Sequence, residues 1–290
     1  MAKVNRELKD RLFKFIFGNE ANKGWTLSLY NAINGTEYSN ADDIELTTIE
    51  DAVYMGMKND VSFLISDTMN LYEQQSSYNP NMPLRYLMYA GLLYSKYVER
   101  NSIYLYSTKL KSIPAPRCVC FYNGEDEKED RFELKLSQAF SGKDGDIEVT
   151  VHMININYGK NRELFDNCKP LSEYSWFIDK VRKYQKEVKN DTISAKEALR
   201  IAVDMALEEM PDSFTIKSFL LQNKAEVTNM CITEYDEEKN NELLKEESKA
   251  EGKIIMIIDF LKDGLITEDV AAKKANMSVA DFRKLVAQFG

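Results

Sequence analysis

Residues 60–75 read DVSFLISDTMNLYEQQ, two apolar segments joined by a polar turn. Side chains of a strand alternate between its two faces, so this pattern commits the stretch to a β-hairpin. The segment MPLRYLMYAGLLYSKYVER follows and has helical periodicity, with Pro83 in its first turn, where a missing N–H is tolerated. RCVCFYNG then returns to strand character. A hairpin, a helix and a further strand in succession require a sheet with helical cover.

The hairpin also carries polar groups at one end. With a turn at Asp67-Thr68, Ser66 faces Met69, and counting back sets Asp60 opposite Gln75. Asp60, Ser62, Leu64 and Ser66 then share a face with Met69, Leu71, Glu73 and Gln75. Val61, Phe63, Ile65 and Tyr72 take the other face, toward helices. Two carboxylates and an amide thus meet at one end of one sheet face, within the roughly 4.5–8 Å reach of cross-strand neighbours. Mg²⁺ and Mn²⁺ favour oxygen ligands and are held by one or two carboxylates plus waters and substrate phosphate. Metal-assisted phosphodiester hydrolysis is the chemistry that fits. On spacing alone, solvent-facing strand residues are the commoner origin of such a pair.

The rest of the chain frames this hairpin. Val4, Leu8, Leu12, Phe15 and Ile16 predict a first helix whose other face is basic, with Lys3, Arg6, Lys9, Arg11 and Lys14. A second helix is expected at 25–33, and strands at 44–49, 60–66, 70–75, 131–137 and 147–154. Helices are expected at 171–188, 194–209 and, in pieces, 213–248. The pattern is that of an α/β chain, a mixed central sheet of α+β character flanked by helices, with a helical C-terminal part. No G-x-G-x-x-G or P-loop pattern occurs.

Composition narrows the chemistry. The chain has 47 acids against 38 bases, a formal charge of −9, which argues against broad, non-specific coating of nucleic acid but leaves room for a local basic groove. His152 is the only histidine, which removes support for Ser-His-Asp, Cys-His and His-rich zinc chemistry together. The four cysteines make no C-x-x-C pair; Cys118 and Cys120 share a strand face and read as buried thiols in a reducing cytoplasm. Apolar runs are too short to span a membrane, and no secretory h-region follows the N-terminus.

Several blocks together carry a family resemblance: KDRLFKFIFGNEANK, LSLYNAING, KNDVSFLI, NLYEQQSSYNPNMPLRYLMYAGLLYSKY, KLKSIPAPRCVCFYNG and MININYGKNRELFDNCKPLSEYSWF. In this order and spacing the chain resembles the recombination-promoting nuclease/putative transposase family, a branch of the PD-(D/E)XK nuclease superfamily, to about residue 235. The resemblance implies a restriction-endonuclease-like core and a Mg²⁺- or Mn²⁺-dependent DNA endonuclease linked to recombination or mobile DNA. It sets the catalytic Asp on Asp60, the Glu on Glu73 and the third position, commonly Lys, on Gln75. Asp10 matches an acidic position that would complete the metal shell. Lys58, Arg85, Lys9 and Lys14 are the candidate DNA contacts; for Arg85, tying its loop to an acid is an equal alternative. DNA is the implied partner, and double-strand cleavage implies a homodimer or transient pairing.

The expected division is a nuclease-like domain over 1–235, a charged helical linker over 236–252 and a small helical module over 253–290. In the last, Thr267 and Ser278 are expected as N-caps and Asn276 as the left-handed turn between two short helices, a helix-turn-helix-like pair. Arg283 and Lys284 are a thin set of base readers, which favours an accessory role. The rival to the enzyme is a catalytically silent DNA-binding or regulatory protein that retains the fold.

Overall fold

The computed structural model describes residues 11–47, 60–142, 145–189 and 192–286. Its centre is a six-stranded mixed sheet of order β1-β2-β3-β4-β6-β5. The strands are β1 (Glu45–Leu46), β2 (Val61–Ile65), β3 (Thr68–Gln75), β4 (Ala115–Tyr122), β5 (Arg131–Lys135) and β6 (Thr150–Asn155). β3 is antiparallel to β2 and parallel to β4, and β6 is parallel to β4 and antiparallel to β5. Parallel neighbours need a crossover, and α3 (Met82–Arg100) supplies it between β3 and β4. The sequence expectation of a mixed sheet flanked by helices, with a helical C-terminal region, is the fold observed.

The hairpin register differs from the expected one. Ile65 pairs with Thr68 and Val61 with Tyr72, so the turn is Ser66-Asp67, one residue earlier. Ser66 takes the positive φ of 51° that so tight a turn requires. Thr68, β-branched and suited to extended backbone, instead opens β3 and pairs with Ala115. The corrected register sets Asp60 opposite Glu73, not Gln75. A shift of two in pairing leaves the faces unchanged, because alternation has period two.

Both faces of the sheet are covered. α3 buries Met82, Tyr86, Tyr89 and Leu93, a helical stripe, against Met69, Leu71, Cys118, Cys120, Tyr122, Leu134, Val151 and Met153. The opposite face, with Val61, Phe63, Ile65, Tyr72, Val119, Phe121 and Ile154, packs against α1 (Leu12–Phe17), α2 (Lys23–Asn34), α4 (Arg162–Asn167), α5 (Lys169–Val188) and α6 (Ala195–Glu209). α7 (Lys217–Gln222) and the start of α8 (Lys224–Lys262) close this layer through Leu220, Val227 and Cys231. Burial on both sides explains why β4 reads as the continuous apolar run CVCFY instead of an alternation. All four cysteines are free and buried.

One residue interrupts the second face. Asn70 is fully buried between Phe63 and Arg117, and neither amide atom has a hydrogen-bond partner among the described residues. Each such group costs about 1–3 kcal/mol.

The contacts divide the chain into a unit over 1–235 and a smaller one over 236–290. In the smaller unit α8 ends before Gly264, whose φ of +70° reverses the chain. α9 (Glu268–Lys274) and α10 (Val279–Val286) follow, with Asn276 at φ 55° between them. Ser278 Oγ accepts from Asp281 N, capping α10, while the Thr267 side chain makes no cap bond to α9. Ile258, Ala271, Ala272 and Phe282 form its core. Among the described residues no helix is long and apolar enough to cross a membrane.

Candidate active site

The hairpin and α3 bring four of the expected site residues together. Asp60 stands just before β2, half-buried, and its Oδ2 accepts from Gln74 N at 2.7 Å. The carboxylate thereby holds a backbone amide near the open end of the hairpin. Glu73, one residue earlier on β3, is 1% exposed. Its Oε1 accepts from Gln75 Nε2 at 2.6 Å and forms a close ion pair with Arg85 Nη2. Glu73 and Gln75 meet because positions two apart share a strand face.

Arg85 comes from the first turn of α3. Its donors also reach the Tyr89 hydroxyl, at 2.8 Å from Nη2 and 3.3 Å from Nε, and its Nη1 lies 3.6 Å from Met82 Sδ. The guanidinium is thus turned inward onto Glu73. Of the two readings given by the sequence, phosphate contact or anchoring to an acid, this is the geometry of anchoring.

Arg11, immediately before α1, donates to the Gln74 carbonyl. It binds the same residue whose amide Asp60 holds, so the two peptide units flanking Gln74 are held, one by an acid and the other by a base. The fields of Arg11, Arg85 and Lys14 all act on Asp60. Lys14 therefore belongs to the electrostatic surroundings of the pair. Lys9, Asp10 and Lys58 lie outside the described residues.

Burial dominates the electrostatics. It raises the pKa of Asp60, against the opposing pull of Arg11 and the Gln74 amide. It pushes Glu73 up to about 7, with Arg85 opposing and the Asp60 charge adding to the rise. On Arg85 itself burial works against the charge, but the Glu73 carboxylate outweighs it and the pKa rises. Both neighbouring carboxyls are thus driven toward their protonated forms, chiefly by burial.

The donor set shows what kind of ion would fit. Glu73 Oε2 is buried and has no hydrogen-bond partner among the described residues. That orphan oxygen and the Asp60 carboxyl are hard ligands. They suit Mg²⁺ or Mn²⁺, which complete their shells with water and substrate oxygens. They do not suit a closed zinc site, and among the described residues no group of three or more His, Cys, Asp or Glu side chains could hold a metal.

Sequence reasoning missed Gln74, Arg11 and Tyr89 as parts of the site. Arg11 was visible only as one of five bases on a helix, and its contact lies 63 positions away. Tyr89 sits on the buried stripe of α3, where its ring packs and its hydroxyl also bonds Arg85. In the smaller unit, Arg283 is held in a fork by Glu268 at 2.6 and 2.7 Å, so that base is engaged within its own helix pair. No protein-family model, curated protein or solved structure matches the chain.

Proposed function

We propose that the chain is a divalent-cation-dependent DNA endonuclease, with Asp60 and Glu73 as the metal-holding carboxylates. The observation that carries the reading is the buried Glu73, whose Oε2 has no hydrogen-bond partner among the described residues, set opposite Asp60 on the paired strand. The resemblance to the recombination-promoting nuclease/putative transposase family, and through it to PD-(D/E)XK enzymes, assigns the same two residues and Gln75.

Each side chain then has a physical task. Asp60 is fixed by the Gln74 amide, and Glu73 by Gln75 and Arg85, so both carboxyls are oriented in advance of any ligand. Gln75 orients through its amide, where the superfamily commonly has a lysine. Arg11 and Arg85 lower the cost of keeping two acids ionised together. A bound Mg²⁺ would lower the pKa of a coordinated water and offset charge on the phosphodiester. Double-strand cleavage by one such site per chain calls for two copies, a homodimer on the DNA.

The test is plasmid cleavage by purified protein with Mg²⁺, Mn²⁺ or EDTA, beside folded Asp60→Asn and Glu73→Gln variants, with Mn²⁺ binding followed by calorimetry. Metal-dependent cutting lost in both variants, with Mn²⁺ affinity reduced, is the expected result. A second reading, a DNA-binding or regulatory protein without chemistry, is favoured by the Arg85–Glu73 pair, which answers Oε1 without any metal. Wild-type protein that neither cuts nor binds Mn²⁺ selects that reading.

A further inference from the structure

The loop over 101–114, between α3 and β4, turns its apolar side chains into solvent. Tyr104 is 66% exposed, Leu105 72%, Tyr106 86% and Ile113 50%, and Leu110 is fully exposed. Single exposed apolar residues are ordinary, but five within ten positions form a patch, and such patches mark interaction surfaces. The loop is tied down at its base. Ile103 N donates to the Val98 carbonyl at 2.9 Å, Ser107 N to the Tyr104 carbonyl at 3.2 Å and Ala115 N to the Asp67 carbonyl at 2.8 Å. Tyr94, on α3, donates its hydroxyl to the carbonyl of the buried Pro114 at 2.7 Å. The fold thus anchors both ends and leaves the apolar tip outside.

The same stretch departs from the charge of the chain. Residues 101–124 contain no Asp or Glu, in a protein with 47 acids and a formal charge of −9. Lys109 and Lys111 flank Leu110, and both are exposed without an ion pair among the described residues. Arg117, just beyond the loop on β4, is a third exposed base without an ion pair there. An apolar tip ringed by uncompensated positive charge complements a surface that is apolar beneath and anionic on top.

We infer that this loop docks on a lipid bilayer with anionic headgroups. Leu105, Leu110 and Ile113 enter the acyl boundary, the two tyrosines sit at headgroup level, and the lysines meet lipid phosphates. A segment of this kind lies on a membrane and needs no spanning helix. Two other occupants fit less well. Protein interface cores are depleted in lysine, and a two-fold pairing of the loop with its own copy brings like charges together. A single nucleic-acid strand stacks on aromatic rings, which leaves the three aliphatic side chains in water. Ala115 pairs with Thr68 and Cys120 with Glu73, so the loop joins the sheet roughly 16 Å along the strands from the carboxylates. The inference does not rest on the nuclease reading.

Vesicle flotation with the full chain tests it, using phosphatidylcholine vesicles and mixed phosphatidylcholine–phosphatidylglycerol vesicles. The chain is expected to float with the mixed vesicles and to bind the neutral ones at least about tenfold less well. Leu105→Ser with Leu110→Ser, and Lys109→Glu with Lys111→Glu, should each weaken binding about tenfold or more. All four positions are exposed, and the unfolding midpoint of each double variant separates loss of binding from loss of fold. No flotation at millimolar lipid, undiminished binding in either folded variant, or equal binding to neutral vesicles overturns the proposal. A dimer in sedimentation velocity that is lost in the leucine variant, or a single-stranded oligonucleotide that displaces the vesicles, gives the loop to another occupant and overturns it as well.

Discussion

Glu73 and Asn70 stand three residues apart on one strand, both buried and both polar, yet the protein treats them differently. Glu73 faces α3 and meets Arg85 and Gln75; Asn70 faces the other helical layer and, among the described residues, its side chain meets no donor or acceptor. The contrast follows from charge. An unpaired buried carboxylate costs several kcal/mol and shifts its pKa, whereas a neutral amide can be left unsatisfied at a cost of about 1–3 kcal/mol per group. The first polar group is built into the fold, and the second is tolerated by it.

Breaking the Glu73 side should give the largest effect. Arg85→Ala leaves the carboxylate without its base and is expected to cost about 3–5 kcal/mol at about pH 9, where Glu73, with its value of about 7, is ionised in the native protein, read by urea unfolding. Adding Glu73→Gln should restore much of that loss; a double variant no more stable than Arg85→Ala would mean that Arg85 acts through Tyr89 and Met82 instead.

The pH dependence sharpens the same point. The ordinary glutamate value of 4.5 rises to about 7 in the folded protein, so across that window the native state keeps a proton that the unfolded chain has released. The contribution of Glu73 to stability is therefore greatest below 4.5 and falls, by on the order of 3 kcal/mol, as pH rises to about 7. In Glu73→Gln that part of the slope should vanish, and an unchanged profile would assign the proton elsewhere.

The smallest effect belongs to Asn70. Removing the two orphan groups with Asn70→Leu should raise stability by about 2 kcal/mol, the low end of the cost of two such groups and the reverse of what the Arg85 variant does. A drop in the unfolding midpoint would show that the amide already has a partner in solution.

What could be read from the sequence depended on how local the cause was. The faces of the hairpin followed from period two alone, and they survived a wrong turn. The turn itself was not legible, because Ser66-Asp67 and Asp67-Thr68 are both polar pairs, and only the strand position of Thr68 beside Ala115 decides between them. The Ser278 cap and the left-handed Asn276 were legible, since both act within a single turn. The grip of Arg11 on Gln74 was not, because nothing near either residue announces a partner 63 positions away. Asn70 is the limiting case: period two sets it on the face of Tyr72, and only the packed structure reveals that no partner among the described residues comes to meet it.

The buried cysteines have a use of their own. Cys118 and Cys120 lie beneath α3, and Cys168 and Cys231 lie in the opposite layer. Burial pushes Cys118 up to about 12 and Cys168 up to about 11, and Cys120 rises well above its ordinary range, so little thiolate exists to react while these layers stay closed. Timed alkylation, read peptide by peptide, thus becomes a native clock for each side of the sheet, recording which layer peels away first without any label having been engineered in.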